Sequence, residues 1–154
     1  MGDQDRRTER QVWQRVFAPI REEPVEDLRP LLYEAMVLAG AYRNLIGLIP
    51  PQNMELARLL LQEAQANAAC LRGMCRLSGV NPGRMHPHQS PKLAPDKLLE
   101  VCYHRSRRCM TEYTARSIQA EFGAAFRMMA DREAQNAALV LQLLGSLGYE
   151  KPHV

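Results

Sequence analysis

The segment Glu63-Ala64-Gln65-Ala66-Asn67-Ala68-Ala69 returns in the second half of the chain as Glu133-Ala134-Gln135-Asn136-Ala137-Ala138. Both copies lie inside long apolar patterns of helical period, and Tyr42 and Tyr113 occupy matching places in the patterns that precede them. A chain that writes a helix pair twice buries its apolar stripes most simply as a four-helix bundle. The interior of such a bundle is also where side chains from facing helices build a metal centre, so the repeated polar segments are the first place to look for chemistry.

The pattern along the chain divides it into an N-terminal extension over 1–24, a bundle over 25–148 and a short tail over 149–154. In the extension, Trp13, Val16, Phe17 and Ile20 share one side of a short amphipathic helix that could cover the end of the bundle or join a dimer contact. The first long helix begins between Val25 and Pro30 and stops before Pro50-Pro51, with Leu31, Ala35, Leu38, Tyr42, Leu45 and Ile49 as its seam. Asn53 is placed to cap a second helix from Met54. Two seams compete on this helix. One runs through Leu60, Glu63, Asn67 and Met74 and turns Glu63 inward, whereas the other runs through Ala57, Ala64, Ala68 and Leu71 and turns it outward. Residues 78–95, with repeated Gly and Pro, form a connection too long for a hairpin turn and suited to a crossover. A third helix spans roughly 96–120 with Leu99, Cys102, Ser106, Cys109 and Tyr113 on one face; Gly123 permits a change of direction. A fourth then carries Phe126, Met129, Glu133, Asn136, Val140, Leu143 and Leu147 on its seam and stops near Gly145 to Gly148.

With 154 residues, the chain is long enough to bury one core without disulfides or a structural metal. Its formal charge of +3 is modest, and the one compact basic cluster, His104 with Arg105, Arg107 and Arg108, reads as a solvated helix face rather than a nucleic-acid surface. Cys70, Cys75, Cys102 and Cys109 form no C-x-x-C pair and read as reduced, mostly buried thiols, which points to the cytoplasm. A charged N-terminus with no apolar secretion core, and no apolar run of membrane-spanning length, fit the same expectation.

Glu63 and Glu133 are the candidate metal ligands, because two facing carboxylates can hold a divalent ion. Asn136, one turn beyond Glu133, and Asn67, one turn beyond Glu63, offer neutral amide oxygens; His86 and His88 in the Pro-rich connection are separate loop candidates. Against this stands a structural account in which the glutamates pair with Arg, Tyr, Gln or Asn in a polar core layer, or keep their carboxylates in water at the edge of the seam.

From residue 28 to about 148 the chain resembles the ferritin-like superfamily, and within it the rubrerythrin-like bundles. In that group the first and third helices each give a glutamate two turns before a tyrosine, and the second and fourth carry E-x-x-H. Counting back from Tyr42 reaches Ala35, beside Glu34, and from Tyr113 reaches Ser106; Glu63 and Glu133 match the family's glutamates, but the histidine positions hold Ala66 and Asn136. The resemblance implies an all-α, ferritin-like antiparallel four-helix bundle with a long crossover and a degenerate di-metal centre, in which Glu63 and Glu133 would be ligands, Asn136 and Glu34 secondary ones, and Tyr42 and Tyr113 would orient the shell. It leaves two functions: a noncatalytic helical protein with a structural or partner-binding role, favoured as a dimer, or a rubrerythrin-like oxidoreductase that binds iron or manganese, with a diiron pair as one form. Neither reading calls for a membrane or nucleic acid.

Overall fold

The computed structural model describes residues 26–86 and 92–152. The short helix expected within 1–24 and the loop candidate His88 fall outside the described residues. Among the described residues four α-helices make up the architecture: α1 (Arg29–Ile46), α2 (Met54–Leu77), α3 (Pro95–Arg116) and α4 (Gly123–Ser146). There is no strand among the described residues.

Local chemistry sets the helix ends. Pro30 and Pro95 stand in the first turns of α1 and α3, where a missing N–H costs nothing, and the Asp27 carboxylate accepts the Arg29 backbone N–H at 3.0 Å. Pro50 and Pro51 stop α1, and a single 3-10 turn (Pro51–Asn53) feeds α2. Helices α2 and α4 end alike. Gly79 and Gly148 adopt left-handed φ values of 74° and 75°, and the next residue donates back into the last turn, Val80 to the Cys75 carbonyl at 2.8 Å and Tyr149 to that of Leu144 at 2.9 Å. The two hairpins thus repeat their stop signal as well as their polar segment. Helix α3 ends at Arg116, a turn earlier than its pattern suggests, and residues 117–122 turn the chain into α4.

Helix α1 packs on α2 and α3, and α4 packs on α3 and α2, so α1 lies diagonally across from α4. One apolar cluster joins the C-terminal half of α1 (Leu38 to Leu45), the N-terminal half of α2 (Ala57 to Ala64), the start of α3 (Leu98 to Tyr103) and the end of α4 (Ala137 to Leu144). A second joins the opposite halves, through Leu32, Leu71, Tyr113, Phe126 and Met129. The first cluster defines the upper end and the second the lower. Helix directions are therefore up, down, down, up, and the segment after α2 must climb the bundle to start α3. Its 17 residues, 78–94, could reach about 56 Å fully extended, against ~36 Å for the 24-residue α2. The long connection is thus a crossover, and the four-helix bundle is compatible with a ferritin-like fold.

On α2 the outward seam holds. Ala57, Ala64, Ala68 and Leu71 are buried with Leu60 and Asn67 between them, and Glu63 rotates to the edge. The expected seams of α1, α3 and α4 are buried as read, except that Leu147 is partly exposed. The basic cluster is a surface feature: His104, Arg107 and Arg108 are exposed, while Arg105 is half-buried and paired.

Candidate functional site: a polar layer at the bundle axis

Between the two apolar clusters lie four buried polar side chains that belong to neither: Asn67, Ser106, Glu133 and Asn136. Glu133 is 1% exposed. Its Oε1 accepts from Asn67 Nδ2 at 3.0 Å, and its Oε2 lies 2.5 Å from Ser106 Oγ. Ser106 Oγ is also 3.0 Å from the Glu133 backbone carbonyl. A serine hydroxyl has one proton and cannot donate fully to two acceptors. If the Glu133 carboxyl is protonated, its O–H donates to Ser106 Oγ and the serine donates to the carbonyl, so every contact is satisfied. Burial works in the same direction, pushing the Glu133 carboxyl above its ordinary value against the opposing pull of the Ser106 and Asn67 hydrogen bonds.

Asn67 is oriented from outside. Arg132 Nη1 donates to its Oδ1 at 3.3 Å, which leaves Nδ2 facing Glu133 and, at 3.4 Å, the Met129 carbonyl. Arg132 Nε also lies 3.5 Å from Glu63 Oε2. Glu63 therefore ends at the bundle edge, its side chain 30% exposed, and does not join Glu133 at the axis. Of the two seams open on α2, the structure takes the one that turns Glu63 outward, so the two repeated glutamates do not face one another. On α2 the small residues Ala57, Ala64 and Ala68 take the inner face, and the long Glu63 carboxylate meets Arg132 at the edge. Glu34 departs in the same way and accepts from Arg105 Nη1 at 2.7 Å in a part-buried pair.

Tyr42 and Tyr113 are fully buried, one in each apolar cluster. Helical side chains lean toward the N-terminus of their helix. For Tyr42 on the rising α1 and Tyr113 on the descending α3, that lean carries both rings toward the middle layer. Burial drives both phenols above their ordinary value. Tyr42 sits beside Ser106 and Tyr113 beside Cys109, yet neither hydroxyl makes a hydrogen bond of sound geometry. Both amide atoms of Asn136 are likewise buried without a partner. Burial holds the Cys102 and Cys109 thiols at about 12, so both are protonated beside the layer.

The donor set does not fit a di-metal centre. Such a centre needs several carboxylates with imidazoles to offset and complete the coordination of two cations. Here one carboxyl occupies the axis, its oxygens engaged by Ser106 and Asn67, and the other candidate carboxylates are drawn to Arg105 and Arg132 on the flanks. Among the described residues no three His, Cys, Asp or Glu side chains cluster in a way that could hold a metal ion. His86 is exposed on the crossover. Arg105 and Arg132 were not read from the sequence as site residues, although each directly precedes a seam residue, Ser106 or Glu133, and so had to flank the axis.

No family model, curated protein or solved structure matches the chain. No helix among the described residues is long and apolar enough to cross a membrane.

Proposed function

We propose that the protein is a noncatalytic member of the ferritin-like bundles with a structural or partner-binding role, in which a hydrogen-bonded layer around one neutral carboxyl stands where relatives of that type carry two metals. The observation that carries this reading is Glu133 itself, enclosed by Ser106 and Asn67 while Glu34 and Glu63 are neutralised on opposite flanks. A cation at the axis would have to displace those hydrogen bonds and deprotonate a buried acid. The partner in this reading is a second copy of the chain. A cytoplasmic setting belongs to the same proposal and is supported by four cysteines without a disulfide.

The test is metal analysis of protein purified without chelator from cells supplemented with iron and manganese. The proposal expects far less than one equivalent of either ion. Near-stoichiometric metal in the native protein that disappears in Glu133→Gln would overturn it and favour the iron- or manganese-dependent oxidoreductase. Light scattering of the full chain tests the dimer separately; a monomer at all accessible concentrations removes the self-association part of the reading.

A further inference from the structure

We infer that the middle of the bundle is a binding site for a small uncharged molecule that both donates and accepts hydrogen bonds, and that in the resting protein this guest is water, held by the Asn136 amide and by the Tyr42 and Tyr113 hydroxyls. This goes beyond the scaffold reading, because a scaffold could equally be dry at its centre.

The inference starts from Asn136. The side chain is 0% exposed, and neither its Nδ2 nor its Oδ1 has a hydrogen-bond partner in the protein. Rotating the amide by half a turn exchanges the two atoms and changes nothing, since both ends are unpartnered. A buried polar group left without a partner costs about 1–3 kcal/mol, so an amide open at both ends strongly favours occupancy by something that can serve it. The chemistry of an amide selects that something. A cation would engage Oδ1 and repel the Nδ2–H, an anion would do the reverse, and a hydrocarbon would serve neither. A molecule with both a lone pair and an acidic hydrogen serves both.

The other buried groups left to serve such a guest are hydroxyls rather than carboxylates or ammonium groups. Among the described residues, the Tyr42 and Tyr113 hydroxyls, each able to donate and accept, are the remaining unpartnered buried groups, and both are 0% exposed. Asn136 follows Glu133 by one turn on the same face of α4, and Tyr42 and Tyr113, in the apolar clusters above and below, lean along their helices toward the same middle layer. The nearest arginines are directed to Glu34 and Glu63 on the flanks. Buried water characteristically takes about three hydrogen bonds from such otherwise unserved groups.

A high-resolution crystal structure of the full chain, with anomalous data at the iron edge, reads the site directly, and water-to-protein NOE and ROE measurements on the Asn136 side-chain amide read it in solution. The expected result is a well-ordered, non-anomalous density bonded to Asn136 and to at least one tyrosine hydroxyl, with a long-lived water cross-peak to the amide protons. That cross-peak should persist in Glu133→Gln and be lost in Asn136→Leu. An Asn136 amide bonded directly to protein atoms, with no density and no cross-peak in the native protein, would overturn this inference and leave the scaffold reading standing. Anomalous density would overturn both. The native protein alone decides among these outcomes, so the result does not depend on either variant folding.

Discussion

Replacing Glu133 with Gln should stabilise the protein at neutral pH and leave it nearly unchanged in mild acid. The substitution keeps the shape of a protonated glutamate: the amide oxygen can accept from Asn67 Nδ2, now at 3.0 Å from Oε1, and the amide nitrogen can donate to Ser106 Oγ, now at 2.5 Å from Oε2. Exchanging one neutral, twice-bonded group for another should move stability by less than about 1 kcal/mol at pH 4. The two proteins diverge above that. Folding raises this carboxyl above its ordinary 4.5 because burial penalises the charge, so the native state holds the proton more tightly than the unfolded chain. Its stabilising contribution is complete below the unfolded value and is lost as pH climbs through the folded one. Between those two values the stability of the native protein relative to the Glu133→Gln variant falls by up to about 1.4 kcal/mol per pH unit, then levels off. Urea denaturation of both proteins at steps from pH 4 to 8 gives the difference curve, in which the exposed carboxylates common to both cancel. A curve that rises with pH, with the native protein gaining on Glu133→Gln, would show that the fold prefers the carboxylate and would refute the hydrogen-bond assignment around Ser106.

The two copies of the repeat should respond very differently to truncation. Asn67→Ala strips the partner from Glu133 Oε1 and should cost about 2 kcal/mol, whereas Glu63→Ala loses only an edge contact to Arg132 and should stay within about 1 kcal/mol of the native protein by urea denaturation. Equal losses would mean that Glu63 is part of the core. Thiol labelling at pH 8 should modify half-buried Cys70 first, leave Cys102 and Cys109 unreacted until denaturant is added, and then count four thiols. Reaction of Cys102 or Cys109 at the Cys70 rate would show that the centre opens in the native state. Gly123→Ala should lower the melting temperature although Ala is the better helix former, because its Cβ would lie 2.7 Å from the Ser117 carbonyl and the clash costs about 1–3 kcal/mol; an unchanged or higher melting temperature would refute the tight 117–122 turn.

The four helices were legible because Pro, Gly and the four/three spacing of apolar residues act locally. Pro51, Gly79 and Gly148 mark ends that the fold keeps, and the length of 78–94 already implied a crossover. The centre was half legible. Glu133, Asn136, Tyr42 and Tyr113 could be placed near the axis from period alone, but Glu63 and Asn67 could not, since one step of rotation on α2 exchanges the seam that holds them both for an alanine face. What decided between them was the cross-helix partner. Arg132 is on α4, 65 residues from the Asn67 it orients, and no periodicity within α2 records it. The upward push on the Glu133 carboxyl was hidden for the same reason, because it follows from burial against Ser106 and Asn67 on other helices.

The same layer fixes how α3 and α4 slide against each other. Ser106 grips both the carbonyl and the carboxyl of Glu133, so it sets axial position and not merely proximity. A slip of one turn would set Glu133 against Cys102 or Cys109, whose thiols are weak hydrogen-bond partners. It would leave the buried acid unserved at a cost of about 1–3 kcal/mol. The apolar residues above and below the layer discriminate by shape, and the polar layer adds to theirs a requirement for specific hydrogen-bond partners. A single well-served polar layer inside an apolar core therefore narrows the choice of register further than hydrophobic burial alone. This gives Glu133 a structural reason to persist at the axis of a bundle whose donor set does not support two metals.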